Sequence, residues 1–476
     1  DFTIRKLTLQ NGRSTSTANG AGGGAAQLVQ GNKFRFEEVN FVENGTFNGG
    51  GGAISAGPLI GNADSRLEID RCHFFDNYGE DGGGAVFAFP ASGGQVPSTI
   101  SISDSLFDGN WSDGSGGALS IYGVATISLS RNQFIDNQAD NSGGAIAISA
   151  PSTSNAPIVQ IEKSSFITNE SGLSGAASFS YVNVLMSNST FAGNSAGDPG
   201  YGSAIRTFGT TSVAIQYSTF HENGAGTSSQ DHVSGEASAA TIFACNGCSV
   251  SLRSSIVWSA SATDLDCSFD FNSAYTSLGS NLDGSGTCAN TASDQIVADP
   301  RLLPLGGYGV PQTAFELQTM PPLPSSAAVD FGPANNCTGF FGANVTVDQR
   351  GLPRPVDGSS GGISKCDSGA IEYQPGVDLG EFALSVILAG TGSGSVSSDV
   401  PGIDCPNECS MDFVENSVVQ LSAVASPGSQ FSEWSGDCSG QGSCIVLIDQ
   451  TNSVTANFID ANDFIFADGF EGDTSN

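Results

Sequence analysis

A short pattern recurs through the first half of the chain and constrains its fold more than any other feature. Each copy has a Phe, an Asn three residues later and, after a gap, a Gly-Gly-Ala sequence followed by an aliphatic residue, with some degenerate copies. The pairs are Phe41 and Asn44, Phe74 and Asn77, Phe107 and Asn110, Phe134 and Asn137, Phe166 and Asn169, and Phe191 and Asn194. These phenylalanines follow one another at intervals of 25 to 33 residues. A period of this length is typical of solenoids, propellers and other repeat arrays.

Apolar residues precede each Phe by seven and five positions, as Leu67 and Ile69 precede Phe74. This spacing of two predicts a strand with one buried face. We expect the Asn to adopt the left-handed conformation at one corner of the repeat and the glycines to form another corner. One short strand per side and corners at fixed places predict an all-β fold, a right-handed parallel β-helix whose rungs stack about 4.8 Å apart.

Charged residues occupy the position three before the first five of these phenylalanines, and Lys6 holds the same position before Leu9, which stands in place of Phe in an earlier copy. Their signs alternate over the first five copies, and the column reads Lys6, Glu38, Arg71, Asp104, Arg131 and Lys163. One interpretation is a ligand-binding stripe. The other, which we favour because alternating signs cancel the field that such a stripe needs, is a ladder of ion pairs between rungs, each contributing about 0.2 to 1 kcal/mol.

The composition limits the partners and cofactors of the chain. With 15 basic and 48 acidic residues the formal net charge is −33, so nucleic acid and anionic membrane surfaces are poor partners. No apolar run is long enough to predict a membrane-spanning helix. We expect no cofactor. Ca²⁺ remains the alternative, although the acidic stretch from Asp76 to Asp81 lacks the ligand order of an EF-hand.

The cysteines predict an oxidising compartment. Ten of the eleven lie in the second half of the chain and form close neighbours in sequence: Cys245 and Cys248, Cys267 and Cys288, Cys337 and Cys366, Cys405 and Cys409, and Cys438 and Cys444. Local disulfides are the favoured interpretation, and a zinc site is the weaker alternative. Cys72 occupies an inward position that mostly holds small residues, so we expect a buried and unreactive thiol there.

The paired Phe-x-x-Asn and Gly-Gly-Ala motifs resemble the repeats of the polymorphic outer-membrane protein family, which are β-helices on bacterial surfaces. Residues 298–332, with "DQRGLPRPVDG" at Asp348 to Gly358 and "CDSGAIEY" at Cys366 to Tyr373, resemble the C-terminal part of the choice-of-anchor Q domain. That resemblance implies an exported bacterial β-helix protein and carries no catalytic residues. We expect Asp348, Arg350 and Arg354 to form a buried or capping ion-pair network that closes the last rungs, with an active site as the less favoured alternative.

Alternating strand patterns follow from residue 381 to residue 459. They resemble a divergent internalin-type B repeat, a small β module of bacterial surface proteins, with Trp434 as a core anchor or, less favoured, a sugar platform. The last stretch, "NDFIFADGFEGDTSN", resembles a short tail of exported proteins from some gammaproteobacteria. We therefore divide the chain into β-helix repeats (1–258), further β-helix rungs and a cap (259–373), a linker (374–380), a B-repeat-like domain (381–459) and a tail (460–476).

Two classes of function fit a β-helix of this kind. A polysaccharide lyase or glycoside hydrolase needs paired carboxylates, or a cation cluster with a basic residue, and the sequence shows neither arrangement. We therefore expect a secreted or surface-exposed bacterial protein with a structural or adhesive role and no catalytic residues. Its expected partners are a surface polysaccharide, a host or neighbouring-cell ligand, or further copies of itself. The chain begins inside a rung, and an open strand edge of this kind predicts pairing that builds a fibre, either with a rung of the next molecule or with its C-terminal tail (460–476). Docking of the tail on its own domain and a role as a sorting tag are the alternatives for that segment.

Overall fold

The computed structural model divides the chain into two compact units, Asp1–Gln374 and Pro375–Asn476. The structure describes residues 2–15, 22–28, 33–59, 65–90, 99–152, 156–197, 202–225, 240–244, 247–259, 264–270, 272–308, 315–324, 326–334, 336–358, 361–375, 381–414, 417–448 and 450–461. The predicted tail from residue 462 onward and most of the predicted linker lie outside these ranges.

The first unit is a solenoid of three parallel sheets, which confirms the predicted all-β, parallel β-helix class. The long sheet contains Phe2–Gln10, Lys33–Val42, Arg66–Asp70, His73–Phe75, Thr99–Ser103, Leu106–Asp108, Thr126–Ser130, Gln133–Ile135, Ile158–Glu162, Ser165–Ile167, Asn183–Ser187, Thr190–Ala192, Ser212–Gln216, Thr219–His221, Ser249–Arg253, Ile256–Trp258, Ala274–Ser277, Leu282–Asp283 and Gln295–Ile296.

Two smaller sheets complete each turn of the coil. The corner sheet consists of two-residue strands: Arg13–Ser14, Gly45–Thr46, Tyr78–Gly79, Trp111–Ser112, Gln138–Ala139, Glu170–Ser171, Ser195–Ala196 and Gly224–Ala225. The back sheet consists of Ala26–Leu28, Ile54–Leu59, Val86–Pro90, Leu119–Tyr122, Ile146–Ser149, Ala177–Ser180, Gly202–Phe208, Ala240–Ala244 and Leu265–Phe269.

Like residues lie on like along the coil because each strand pairs in register with its equivalent in the next rung. Phe74 pairs with Phe41 on one side and Phe107 on the other, and the column continues through Phe134, Phe166, Phe191 and Phe220. Neighbouring rings in this column are stacked with centroids 4.4 to 4.9 Å apart. All seven rings are fully buried, so the repeated Phe forms the centre of the core.

The repeated Asn forms a second buried column. The side-chain Nδ2 of Asn110 donates to Oδ1 of Asn137 at 2.9 Å and to the carbonyl oxygen of Phe74 at 3.0 Å, and its backbone N–H donates to the same Oδ1 at 3.0 Å. The same arrangement runs from Asn44 to Asn223 through Asn77, Asn169 and Asn194. Each amide thus satisfies backbone groups inside the corner, where no water reaches them.

The prediction that this Asn is left-handed is wrong. Left-handed backbone occurs instead at the residue immediately before it, as at Asp76 (φ 51°) and Asp136 (φ 51°), and at the position three before each Phe, as at Arg71 (φ 52°). The chain changes direction at these neighbouring residues, so the side-chain amide of the Asn can point inward. At the other corner, Gly116 has φ 75°, and a Cβ there would lie 2.1 Å from the carbonyl oxygen of Leu119.

The solenoid rungs extend to Gln295–Ile296, and the residues after them do not form further rungs. We call residues 299–374 the cover segment. Its described residues contain one 3₁₀ turn, at Phe340–Gly342, and isolated bridges, and they lie along the outer face of the long sheet. The outward column next to the Phe column is buried where the cover segment crosses it, at Gln133, Ser165, Thr190, Thr219, Ile256 and Leu282. Earlier members of the column, His73 and Leu106, are half-exposed.

The second unit contains two small sheets. One has Ser410–Val414, Glu381–Ala389, Asn452–Asp460 and Ser429–Gly436 in that order, and its two central strands are parallel. The other has Asp404–Cys405, Gly394–Ser398, Val418–Ala425 and Cys444–Leu447, all antiparallel. Trp434 is 3% exposed, packs on Phe431 with ring centroids 5.0 Å apart and donates its indole N–H to the carbonyl oxygen of Gly442, so it belongs to the core.

Candidate functional site

Charged side chains on the outward corner column form a ladder of ion pairs. Lys6 Nζ lies 3.5 Å from one carboxylate oxygen of Glu38, and Arg71 Nε lies 3.5 Å from the other. One rung pair further along, Arg131 Nε donates to Asp104 Oδ1 at 2.6 Å. Because these charges neutralise one another, the column supplies cross-rung contacts of the surface kind and no uniform field for a ligand.

Three aromatic side chains form a row at the corner sheet, in which Phe47 and Trp111 are exposed and Tyr78 between them is half-buried. Tyr78 and Trp111 are in register in consecutive strands, and Phe47 follows the strand Gly45–Thr46. The ring centroids of Phe47 and Tyr78 are 5.5 Å apart, and those of Tyr78 and Trp111 are 5.0 Å apart. Phe47 is 42% exposed and Trp111 is 44% exposed. We call these three residues the aromatic row.

Polar groups border the aromatic row. The Tyr78 hydroxyl donates to Asp113 Oδ2 at 2.7 Å, and burial together with this hydrogen bond raises the pKa of the phenol. Asp76 lines the same open groove. At one end Arg13 lies over Gly45, where its Nη1 donates to the carbonyl oxygen of Glu43 at 2.6 Å. The next residue of the column at the other end is the exposed Gln138.

A polar groove separates the long sheet from part of the cover segment. Its sheet side is lined by Ser128, Ser130, Gln160 and Glu162, and Asn344 and Thr346 are among the residues of its other side. Glu162 is the single carboxylate among the described lining residues, and none of these residues is a Lys or Arg. A glycoside hydrolase needs two carboxylates that flank the scissile bond, so this groove does not supply that chemistry.

The last rungs contain a buried pair of carboxyl groups that the sequence analysis missed. Asp266 Oδ2 accepts hydrogen bonds from the backbone N–H groups of Gly284 (2.6 Å) and Ser285 (2.8 Å), and Asp266 lies beside Asp283. Burial, together with the neighbouring Asp283, raises the pKa of Asp266 to about 8. Both residues are 0% exposed, so neither carboxyl can contact a substrate. The pair therefore acts as a structural link between rungs.

The predicted ion-pair residues of the cover segment are buried. Arg350 Nη2 lies 2.8 Å from Asp348 Oδ2, and Arg354 Nε donates to Glu372 Oε2 at 2.8 Å. Arg354 Nη1 also donates to Asn188 Oδ1 at 3.2 Å, which places this network against the side of the coil and not across its end.

Two nearby carboxyl groups have shifted pKa values. Burial raises the pKa of Asp367 well above its usual value, with a further contribution from Glu372. Burial also raises the pKa of Glu372, against the opposing effect of Arg354. Both carboxyl groups are enclosed by protein. Their raised pKa values therefore result from burial, and neither group is open to a substrate from solvent.

Four disulfides join neighbouring cysteines: Cys267 to Cys288, Cys337 to Cys366, Cys405 to Cys409 and Cys438 to Cys444. The candidate pair of Cys245 and Cys248 involves residue 245, which lies outside the described residues. Because Cys405 and Cys409 are linked, they offer no thiolates to zinc. Cys72 is buried, and burial raises its thiol pKa to about 11, which keeps the thiol protonated and unreactive.

The described ranges hold neither a metal-binding cluster nor a membrane-spanning helix. No group of three His, Cys, Asp or Glu side chains in them is arranged to hold a metal ion. Within those ranges, no helix has the length and apolar character that crossing a membrane requires.

Comparison with known proteins identifies part of the chain. Residues 384–462 match the family model of the divergent InlB B-repeat domain, which confirms the predicted resemblance of the C-terminal module. No curated protein and no solved structure matches the chain. The resemblances of the solenoid to polymorphic outer-membrane protein repeats and to the choice-of-anchor Q domain stay predictions.

The repeat motif did not predict the aromatic row. Its signal is in the sequence, because Tyr78 and Trp111 each follow the repeated Asn directly. The repeat motif is defined by positions that are alike in every copy, whereas a binding surface on a solenoid is made by positions that differ between copies.

Proposed function

We propose that this chain is an exported bacterial protein with a non-enzymatic structural or adhesive role at the cell surface or in the extracellular space. The observation that carries the proposal is the combination, in one chain, of a regular parallel β-helix and a B-repeat-type module, the kind of module that bacterial surface proteins use. Disulfides in both units support an oxidising, extracellular location.

The chemistry of the described residues favours a role without catalysis. Two buried pairs of carboxyl groups, Asp266 with Asp283 and Glu372 with Asp367, are enclosed and bonded to backbone N–H groups. The open polar groove is lined by one carboxylate. A polysaccharide lyase or glycoside hydrolase is the alternative function that the same fold class can carry.

Two measurements test this proposal together. Immunogold labelling of intact producing cells and of their culture medium locates the chain, and we expect label outside the cell envelope. Incubation of the purified protein with a polysaccharide panel, followed by assays for new reducing ends and for unsaturated products, tests catalysis. We expect neither product. Label confined to the cytoplasm would contradict the location, and turnover of any polysaccharide would replace the adhesive role with the enzymatic one.

Self-association into fibres is the finer part of the proposal. Among the described strands, Phe2–Gln10 pairs only with Lys33–Val42, and a strand with a free hydrogen-bonding edge can accept another strand. Any segment that precedes it would occupy the same edge, so the protein must be isolated from its natural source. Negative-stain microscopy at physiological salt should then show end-to-end filaments. Monodisperse short rods at high concentration would remove the fibre and leave adhesion standing.

A further inference from the structure

The aromatic row is not explained by the packing of the coil. The interior of each rung is already filled by the stacked phenylalanine column, and the rings of Phe47, Tyr78 and Trp111 lie outside it on the corner sheet. Single exposed apolar residues are ordinary on protein surfaces, but three neighbouring rings form a continuous patch. Such a patch in contact with water indicates a surface that binds something.

We infer that the aromatic row is a binding site for a neutral polysaccharide, which lies along the axis of the coil. Pyranose rings have apolar C–H faces that pack on aromatic rings, and their hydroxyl groups need acceptors and donors at the edge of the contact. The row supplies both, because Asp76 and Asp113 flank the rings and the amide of Gln138 continues the column. The inference rests on the proposed adhesive function and gives it a ligand class and a site.

The spacing of the row suits an extended polymer. Its rings belong to three consecutive rungs, and their centroids are 5.5 and 5.0 Å apart. One sugar unit of an extended β-linked chain has a comparable length, so successive units can contact successive rungs. The ring planes are tilted by 48° and 47° from one neighbour to the next, which forms an open strip and not an enclosing cage.

The charge around the row disfavours an anionic chain. The formal net charge of −33 and the carboxylates of Asp76 and Asp113 disfavour polyanions. These carboxylates would also attract a cationic chain, so the test below includes a chitosan hexamer. The hydroxyl groups of a neutral chain can donate hydrogen bonds to the remaining lone pairs of both carboxylates.

The test measures the binding of glycans to the complete chain by intrinsic tryptophan fluorescence and isothermal titration calorimetry. The neutral probes are cellohexaose and laminarihexaose, and the charged controls are hexagalacturonate and a chitosan hexamer. We expect at least one neutral hexasaccharide to bind and to change the tryptophan emission. The charged probes should not bind at the row.

The variants are Trp111→Ala and Trp111→Phe, with Tyr122→Ala as the matched control. Tyr122 is a comparably exposed aromatic residue (43%) at the end of a strand of the back sheet. Loss of one stacking contact should weaken binding about tenfold in Trp111→Ala, whereas Trp111→Phe should retain most of the affinity and Tyr122→Ala all of it. Circular dichroism and thermal unfolding of each variant show whether the fold is intact.

Three results would overturn the inference: binding of neither neutral probe, binding of the chitosan hexamer or hexagalacturonate alone, or equal affinities of Trp111→Ala and Tyr122→Ala. Failure of this site is distinguishable from failure of the proposed function. If the row is wrong but the function is right, Trp111→Ala still adheres to cells and still leaves polysaccharides uncut. If the function is wrong, the unaltered chain degrades a polysaccharide or remains inside the cell.

Discussion

Two buried columns hold each rung to the next at the level of single residues. Stacked phenylalanine rings remove a large apolar area from water, and parallel stacking of aromatic pairs adds about 0.5 to 1.5 kcal/mol for each contact. The Asn column satisfies backbone groups that the corner would otherwise bury without partners. Burial of the Phe therefore stabilises the fold through the hydrophobic effect. The Asn instead avoids the cost of burying backbone N–H and C=O groups without hydrogen-bond partners.

The Asn column gives the first prediction. Asn137→Ala should lower the free energy of unfolding by about 2 to 5 kcal/mol, because it leaves the backbone N–H of Asn110 and the carbonyl oxygen of Phe107 buried without the partners that Asn137 provides. Urea denaturation followed by circular dichroism measures the loss. Asn141→Ala, four residues away at an exposed position, is the control and should change stability by less than about 0.5 kcal/mol. Equal losses in the two variants would contradict the ladder.

At the scale of structural elements, buried ionisable groups link segments that are distant in sequence. Asp266 and Asp283 connect two neighbouring rungs, and Arg354 connects the cover segment to Asn188 on the long sheet. Each link exchanges the hydration of a charge for internal hydrogen bonds. It is therefore sensitive to changes in protonation and to the loss of one partner.

The carboxyl pair makes stability depend on pH. Asp266 has a pKa of about 8 in the folded chain and an ordinary pKa of about 4 in the unfolded chain, so between these values the folded state binds more protons. Stability should therefore fall as pH rises from about 4 to about 8. Asp266→Asn should flatten this slope, because the amide oxygen can accept from Gly284 and Ser285 while its N–H₂ donates to Asp283.

Urea midpoints of the wild-type chain and Asp266→Asn at pH 5 and at pH 8.5 measure the effect. We expect a smaller difference between the two pH values in the variant, and a higher midpoint than wild type at pH 8.5. A residual slope of the same sign is expected, because burial also raises the pKa values of Asp367 and Glu372. Identical slopes in the two proteins would show that Asp266 is not the proton-binding group.

The ion pair between Arg354 and Glu372 predicts that replacing Arg354 alone destabilises the fold more than replacing both residues. Arg354→Met leaves the Glu372 carboxylate buried without its cation and should cost about 3 to 5 kcal/mol. Adding Glu372→Gln should recover part of this loss, because the neutral amide oxygen can still accept from Val356 N–H or Asp367 N–H. Denaturation midpoints and the rate of proteolysis within residues 299–374 report the two effects. A double variant no more stable than the single one would contradict the charge-pair explanation.

At the scale of the whole molecule, the sequence was sufficient to predict the β-helix architecture, because the repeat determines which residues pair between neighbouring rungs. Equivalent residues of every copy must share one column, so the burial of Phe41 predicts that of Phe191. The prediction that the repeated Asn is the left-handed residue was wrong, because the motif identifies the Asn and not its exposed neighbour. The pairing of Asp266 with Asp283 could not be predicted, since each lies in a different sheet and no local spacing relates them.

The docking of the cover segment was also beyond the sequence analysis. Its contacts join residues far apart in the chain, such as Gln349 with Thr190 and Gln318 with Gln133. The signal was indirect, because the outward column changes to Ser165, Thr190, Thr219 and Ile256, residues that are small or apolar. These residues leave a face that another segment has to cover, but nothing in the column itself identifies that segment.

The net charge predicts how whole molecules respond to salt. With a formal charge of −33 at pH 7 and an isoelectric point of about 4.1, copies of the chain repel one another, and this repulsion extends over about 30 Å at 0.01 M salt but only about 10 Å at 0.1 M. Sedimentation velocity at pH 7 should therefore show more association at 0.1 M than at 0.01 M NaCl, and still more as the pH approaches 4.1. Binding of a neutral glycan should change little over the same salt range, because it neutralises no charge. If association were instead strongest at 0.01 M salt, oppositely charged patches would have to bring the copies together, and the mutual repulsion assumed here would be the wrong description of the surface.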